Sequence, residues 1–318
     1  MRGPHNIFRL IRTGATFERT GAMNVILKAY QAPIGLRLAA KILGWPFQWL
    51  GYKGDPAMPP VTRALTALGP AYIKFGQILS TRPDVVGDEL AAQLRVLQDK
   101  LPPFPMEEAQ RMIEAELEQP LTSIFQNFSA PVAAASIAQV HRAKLVSNGE
   151  DVAVKVLRPG IENAFRKDID AFYFAARMVE VLAPGARRLR PLDVIAHFEG
   201  VVLGELDLRL ESSAAGEFAT NTNSDEGFQL PQINWSLSGK NVMTMDWAEG
   251  IPAGDNAALD AVGHDRRQIS ERILQLFLSH ALRDGFFHAD LHQGNIKIAA
   301  NGDVIAYDFG IMGRIDEY

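Results

Sequence analysis

Apolar residues recur at two different periods along this chain. From Val25 to Leu43, from Val61 to Leu101 and from Pro191 to Phe218 they fall at near-helical spacing, which predicts helices. Five shorter stretches are β-prone: Gln139–Leu145, Asp151–Leu157, Asn241–Met245, Asn295–Ala299 and Val304–Tyr307. The turn Ser147-Asn-Gly-Glu150 joins the first two as a hairpin, and Ala300-Asn-Gly-Asp303 joins the last two. Pro59-Pro60 and Pro102-Pro103-Phe-Pro105 punctuate the helical region before the strands begin.

Composition narrows this picture only a little. At 318 residues the chain is long enough for one or two domains with a sizeable core. The absence of cysteine excludes disulfides and thiolate metal sites and points to a reducing compartment. No apolar run approaches the roughly 20 residues of a spanning helix, and no secretory signal pattern is present.

Charge changes the picture more. Residues 1–53 hold eight Lys/Arg against Glu18 alone, a net +7, so the formal total of −5 leaves −12 for the rest. Trp45, Phe47 and Trp49 lie in the same arm. A basic amphipathic segment with aromatic residues suits an anionic bilayer surface. The competing reading is a set of helices packed on the body with a basic solvent face. A mitochondrial transit peptide is a third, since the first twenty residues carry arginines and one acid.

The candidate chemistry lies around the second hairpin. His288-Ala-Asp290 and Asn295 sit on the loop entering it, and Asp308-Phe309-Gly310 on the loop leaving it. Both loops are at the same end of the strand pair, so the three polar side chains can converge. A carboxylate with an amide oxygen suits Mg²⁺, which takes few protein ligands. The other carboxylate, Asp290, is left to orient or deprotonate a nucleophile. That division of labour belongs to kinase-type phosphoryl transfer. Such chemistry needs a lysine on a strand, and Asp151-Val-Ala-Val-Lys155 supplies one. The loop before the strands is expected to be glycine-rich but reads Val132-Ala-Ala-Ala-Ser-Ile-Ala138, stiffer than a glycine cradle.

This combination resembles the UbiB family of atypical kinases linked to ubiquinone (coenzyme Q) biosynthesis. The matching pieces are Lys74-Phe-Gly76-Gln77, Ala133-Ala-Ala-Ser136, Val-Ala-Val-Lys155, Glu205-Leu-Asp207 with Glu211, the catalytic loop and Asp308-Phe-Gly. The resemblance implies an α+β, protein-kinase-like two-lobe fold, with a sheet-bearing small lobe, a helical large lobe incomplete here, and an N-terminal helical extension. The expected divisions are a basic arm at 1–58, the Lys74-motif extension at 59–105, the small lobe at 106–247 and the start of the large lobe at 248–318.

The resemblance also assigns roles. Lys155, Glu211 and Asp290 are the catalytic residues, with Glu211 paired to Lys155. Ala133, Ala134, Ala135, Ser136 and Lys155 are expected to contact ATP, and the backbone of Trp247 and Ala248 to meet the adenine edge. Asn295 and Asp308 hold Mg²⁺. Lys74, Gly76 and Gln77, faced by Glu205 and Asp207, fold over the nucleotide pocket as a regulatory element and obstruct protein substrates. In the helical reading, Asp207 and Glu211 share one face of Pro191–Phe218 and Glu205 is turned away.

The implied activity is an ATP-dependent phosphotransferase or ATPase acting on a small or lipid-like substrate. A quinone precursor, a membrane surface and other ubiquinone-biosynthesis proteins are the expected partners; nucleic acid is not. The expected location is the cytoplasmic side of a bacterial inner membrane, or a mitochondrion in a eukaryote. Two other readings stay open: a nucleotide-binding scaffold without turnover, and a metal-dependent hydrolase or oxygenase using His288, Asp290 and His292. The chain stops at Tyr318, eight residues after Gly310, as expected of a truncated family member.

Overall fold

The structure is a computed structural model. It describes residues 6–29, 34–35, 38, 41, 44–81, 83–95, 97, 103–135, 137–182, 187–188 and 190–315. Ser136, much of the stretch beyond Ala29 in the arm, and residues 316–318 lie outside the described set. Two compact units result, one of Met1–Pro102, Ala134–Ile137 and Gly160–Leu203, the other of Pro103–Ala133, Ala138–Pro159 and Gly204–Tyr318.

The second unit carries the sheets. β1 (Phe125–Gln126), β3 (Ala138–Leu145), β4 (Asp151–Leu157) and β6 (Val242–Asp246) lie side by side, with β2 (Pro131–Ala134) also paired to β3. The register sets Val140 and Met243 on either side of Lys155. Side chains alternate between the faces of a strand. Val152, Val154 and Val156 therefore point one way, into a core with Ala109 and Ile113 of the helix Met106–Leu117. Lys155 falls on the opposite face by parity. β2 corrects one expectation: Ala133 and Ala134 are strand residues, because pairing with β3 extends through positions expected to be loop.

The lower sheet runs β5 (Phe228–Gln229), β10 (Val304–Ala306), β9 (Ile296–Ile298) and β7 (Ile251–Pro252). β9 and β10 form the expected antiparallel hairpin, with Lys297 opposite Ile305. A further pairing was not legible in the pattern: β11 (Met312–Arg314) returns antiparallel to β8 (Phe286–His288), with Met312 opposite His288. The loops bearing Asp290 and Asp308 are thus tied twice, once by the hairpin and once by the strands outside it.

The long helix expected from Pro191 to Phe218 is two helices, Pro191–Glu205 and Leu208–Thr222. Asp207 breaks them. Its backbone is extended (φ −133°, ψ 95°) and its carboxylate accepts from the Arg209 amide at 3.1 Å, as an N-cap does. Capping outweighs the helical periodicity here, so Asp207 and Glu211 do not share a helix face. Within the second helix, Leu208, Glu211, Ala215, Phe218 and Thr222 recur at three- and four-residue steps. All but Glu211 are buried hydrophobic or hydroxyl side chains, so Glu211 enters the interior with them.

The first unit carries the N-terminal helices. Pro60 and Pro70 each open a helix, Pro60–Leu68 and Pro70–Ser80, with Gly69 between them at φ +112°. Proline suits the first helical turn and breaks a helix elsewhere. The continuous pattern from Val61 is accordingly cut into Pro60–Leu68, Pro70–Ser80, Pro83–Val86 and Asp88–Leu94. Tyr72 meets Phe172 edge-on at 4.8 Å and Phe75 meets Phe198 at 5.2 Å, which fixes the buried face of Pro70–Ser80. Gly76 lies on that face. A Cβ there would stand 2.4 Å from Leu97 Cδ1 and 2.6 Å from Leu65 Cδ1.

Gly76→Ala separates two effects of opposite sign. Helix propensity alone would stabilise by about 1 kcal/mol, whereas overpacking against two leucines costs about 1–3 kcal/mol. The contacts predict a lowered denaturation midpoint. A raised midpoint would remove close packing as the reason for glycine.

Candidate functional site

The site forms around a buried ammonium. Lys155 Nζ lies 2.7 and 2.9 Å from the two Glu211 carboxylate oxygens and 3.5 Å from Asp308 Oδ1. The side chains of Lys155 and Glu211 are only 16% and 9% exposed, and that of Asp308 is 45% exposed. Strand parity aims Lys155 away from the valine core, and the buried stripe of Leu208–Thr222 aims Glu211 inward. Burial opposes the charge on Lys155, but Asp308 and Glu211 outweigh it and raise its pKa. Lys155 in turn holds Asp308 below the usual carboxylate range. Glu211 is raised, first by burial, then by the neighbouring Asp308 carboxylate, with Lys155 pulling the other way.

Phe309 fixes the height of Asp308. It is buried with Phe218, Phe286, Ala215 and Ala306, and its ring stands 6.3 Å from that of Phe218. Phe218 belongs to the helix of Glu211, so one apolar cluster locates both carboxylates. The Gly310 amide donates to Asp308 Oδ1 at 3.3 Å.

On the other loop, His292 N donates to the Asp290 carbonyl at 3.0 Å and Asn295 N to the His292 carbonyl at 2.9 Å. The Asn295 side-chain NH₂ donates to the Asp290 carbonyl at 3.0 Å, which leaves its amide oxygen at the opposite end of the group. His288 is buried, and its Nδ1 accepts from the Asp290 amide at 3.2 Å. Burial lowers its pKa and favours neutral imidazole. The Asp290 carboxylate, half exposed, is 3.7 Å from His292 Nε2. Among the described residues, no three His, Cys, Asp or Glu side chains gather to hold a metal ion, so His288, Asp290 and His292 do not make a joint ligand set. The oxygens of Asp308 and Asn295 are hard donors on the two tied loops, a set that fits Mg²⁺.

The structure places the remaining candidates less uniformly. Ala133 and Ala134 end β2, Ala135 follows, and Ser136 lies outside the described residues. The Trp247 amide donates to the Asp151 carbonyl at 3.0 Å, continuing the strand pairing. The Ala248 carbonyl accepts from Lys297 Nζ at 2.7 Å. Lys297 was not a candidate, although a lysine inside the apolar strand Ile296–Ile298 was a visible signal. Lys74 and Gln77 are half-buried in the helical unit, where the Gln77 amide donates to the Leu97 carbonyl at 3.3 Å. Glu205 ends its helix, and Asp207 is held by the Arg209 guanidinium at 2.8 and 2.6 Å.

The chain is similar to known proteins. The family described as "ABC1 atypical kinase-like domain" matches residues 96–318. A protein named "Probable protein kinase UbiB" from Marinobacter nauticus is 42% identical over 79% of the chain and 47% of its own length. Its namesake from Shewanella baltica is 39% identical over 99% of the chain and 57% of its own length. The chain thus spans about half the length of these curated relatives. A solved structure titled as the complex of Rv3197 with erythromycin, from Mycobacterium tuberculosis, is 30% identical, with a TM-score of 0.56 over 75% of this chain and 60% of that one. The fold is kinase-like, as the α+β reading expected.

A buried ion pair is costly to break and often cheap to replace whole. Lys155→Met should destabilise the protein by about 3–5 kcal/mol, because Glu211 is left uncompensated. Adding Glu211→Gln should restore most of that loss in urea unfolding. Equal destabilisation of single and double variants would show that the two groups are not coupled.

Proposed function

Because the chain belongs to the ABC1 atypical kinase-like family, we propose that it binds Mg·ATP and acts as an atypical phosphotransferase or ATPase supporting ubiquinone biosynthesis. The observation that carries this is Lys155 held between Glu211 and Asp308, beside the loop of Asp290 and Asn295. An ammonium fixed in this way meets α- and β-phosphate oxygens without having to be ordered first. Asp308 and Asn295 would hold Mg²⁺, which when bound neutralises charge on the phosphates. Asp290 is exposed enough to meet a hydroxyl. As that oxygen bonds the γ-phosphorus and the bond to the ADP oxygen breaks, the hydroxyl proton passes to the Asp290 carboxylate.

The substrate we assign is small or lipid-like, a quinone precursor, or water in an ATPase cycle coupled to one. The arm supports work at a membrane surface. Trp49 is 74% exposed and Phe8 55%, and the Arg12 guanidinium lies over the rings of Phe8 and Tyr52 at 5.1 and 5.7 Å. Aromatic residues beside arginine suit the interface of an anionic bilayer. Among the described residues no helix is long and apolar enough to cross a membrane. We keep Lys74, Gly76 and Gln77, with Glu205 and Asp207, as the element that regulates access, and Ala133–Ala135 as phosphate-side backbone.

ATP hydrolysis by the protein should rise when anionic liposomes carrying a phenolic lipid are added. Asp290→Asn should lower turnover by about 10²–10⁴-fold, the usual weight of a general base, while nucleotide affinity is kept. Phosphorylation of generic proteins with no lipid response would contradict the substrate class. Nucleotide binding without any phosphate release would favour the scaffold reading.

A further inference from the structure

The helix Leu208–Thr222 has a second face. Ser213, Gly216, Glu217 and Thr220 recur on it at three- and four-residue steps, apart from the stripe that carries Glu211 inward. Together with residues 231–235 they line an open groove of 670 Å³, a volume within the range of sites that take ligands. Trp235 forms one wall and is 58% exposed. Its ring lies over Gly216, where a Cβ would stand 2.9 Å from Cζ2, so the glycine is what lets the indole close on the helix.

Beside that wall runs the edge of a sheet. Ile233 is bridged antiparallel to Met245 of β6. The Asn234 amide donates to the Thr244 carbonyl at 2.9 Å, and the Asp246 amide to the Gln232 carbonyl at 3.0 Å. These two bonds flank Ile233, so by strand alternation the Ile233 amide and carbonyl and the Pro231 carbonyl turn away from β6. None of the three has a hydrogen-bond partner among the described residues. An unpaired edge beside an open groove is a template for another strand.

We infer that this groove docks an extended, basic segment of a partner protein, which adds as a strand to residues 231–233. Backbone groups freed in strand alternation are matched by another extended backbone, and that selects a peptide. Charge selects its side chains. Glu217 stands on the rim with 43% of its side chain exposed and already holds one guanidinium, that of the exposed Arg314 at 2.8 Å. A carboxylate has room for further donors. Residues 54–318 carry a formal −12, which is the −5 of the whole chain less the +7 of residues 1–53. Complementarity therefore favours a basic segment over an acidic one. Alternate side chains of the segment face the short residues Ser213, Gly216 and Ala219, where small apolar groups fit. The helix is that of Glu211, so a strand seated here braces the partner of Lys155 from outside. The inference stands apart from the proposed nucleotide chemistry.

The probe is a short fluorescent peptide of alternating valine and lysine, titrated into the full chain and followed by anisotropy. Saturable binding is expected. A copy of the peptide with methylated backbone amides should bind about tenfold more weakly, because it cannot donate to the Ile233 and Pro231 carbonyls. A copy with glutamate in place of lysine should also bind more weakly. Glu217→Gln, an exposed substitution, should weaken the lysine peptide by about two- to fivefold and narrow its advantage over the glutamate peptide. Absence of saturable binding overturns the inference, and so does equal affinity for the methylated copy; neither result needs a variant. Unchanged discrimination in a folded Glu217→Gln protein overturns the basic character assigned to the segment. Self-association of the protein that the peptide competes away gives the groove to a second copy, and overturns the separate partner.

Discussion

A charge buried away from water has to be paired, and the arrangement around Lys155 follows from that requirement. Desolvation alone would push the lysine toward its neutral form. Two carboxylates prevent this, and each comes from a different part of the sequence: Glu211 from a helix and Asp308 from the loop after a hairpin. Neither can be placed by local structure alone. Glu211 needs a helix whose apolar stripe faces the sheet, and Asp308 needs Phe309 seated against Phe218 on the same helix. The ion pair and the aromatic cluster are two faces of one constraint, since displacing the helix loosens both.

The second consequence is orientation. Once Asp308 is fixed, the pairing of β8 with β11 and of β9 with β10 brings Asp290 and Asn295 to the same end of the sheet. The segment from Asp290 to Asn295 is then a short turn closed by its own backbone, with the Asn295 side chain bonding back to the Asp290 carbonyl. Little rearrangement is then needed for the Asp290 carboxylate, the Asn295 and Asp308 oxygens and the Lys155 ammonium to take the roles proposed for them, an economy that suits chemistry which depends mainly on positioning.

Much of this was legible in the sequence, for identifiable reasons. Both hairpins carry Asn-Gly turns between β-prone runs, and Asp151–Leu157 was expected as the strand that bears Lys155. Family resemblance supplied the pairing with Glu211, which spacing could not. Periodicity failed at Leu206-Asp207, where a side-chain cap ends one apolar pattern and starts another without interrupting it. It failed at Ala133–Ala134 because strand pairing is a long-range choice that alanine neither favours nor forbids. The pairing of β11 with β8 joins segments more than twenty residues apart, and their short runs give no signal of it. Lys297 was visible as a charge inside an apolar strand, but its reach to Ala248 is tertiary.

In the proposed function the Lys155 ammonium is held ready for phosphate. The direct test is calorimetric titration of Mg·ATP into the wild-type protein and into the Lys155→Met, Glu211→Gln double variant, which loses the buried lysine–glutamate pair together. Saturable binding that weakens by about tenfold or more in the folded double variant is the predicted result, the usual weight of a charge-assisted hydrogen bond. Equal affinity in both proteins would contradict it.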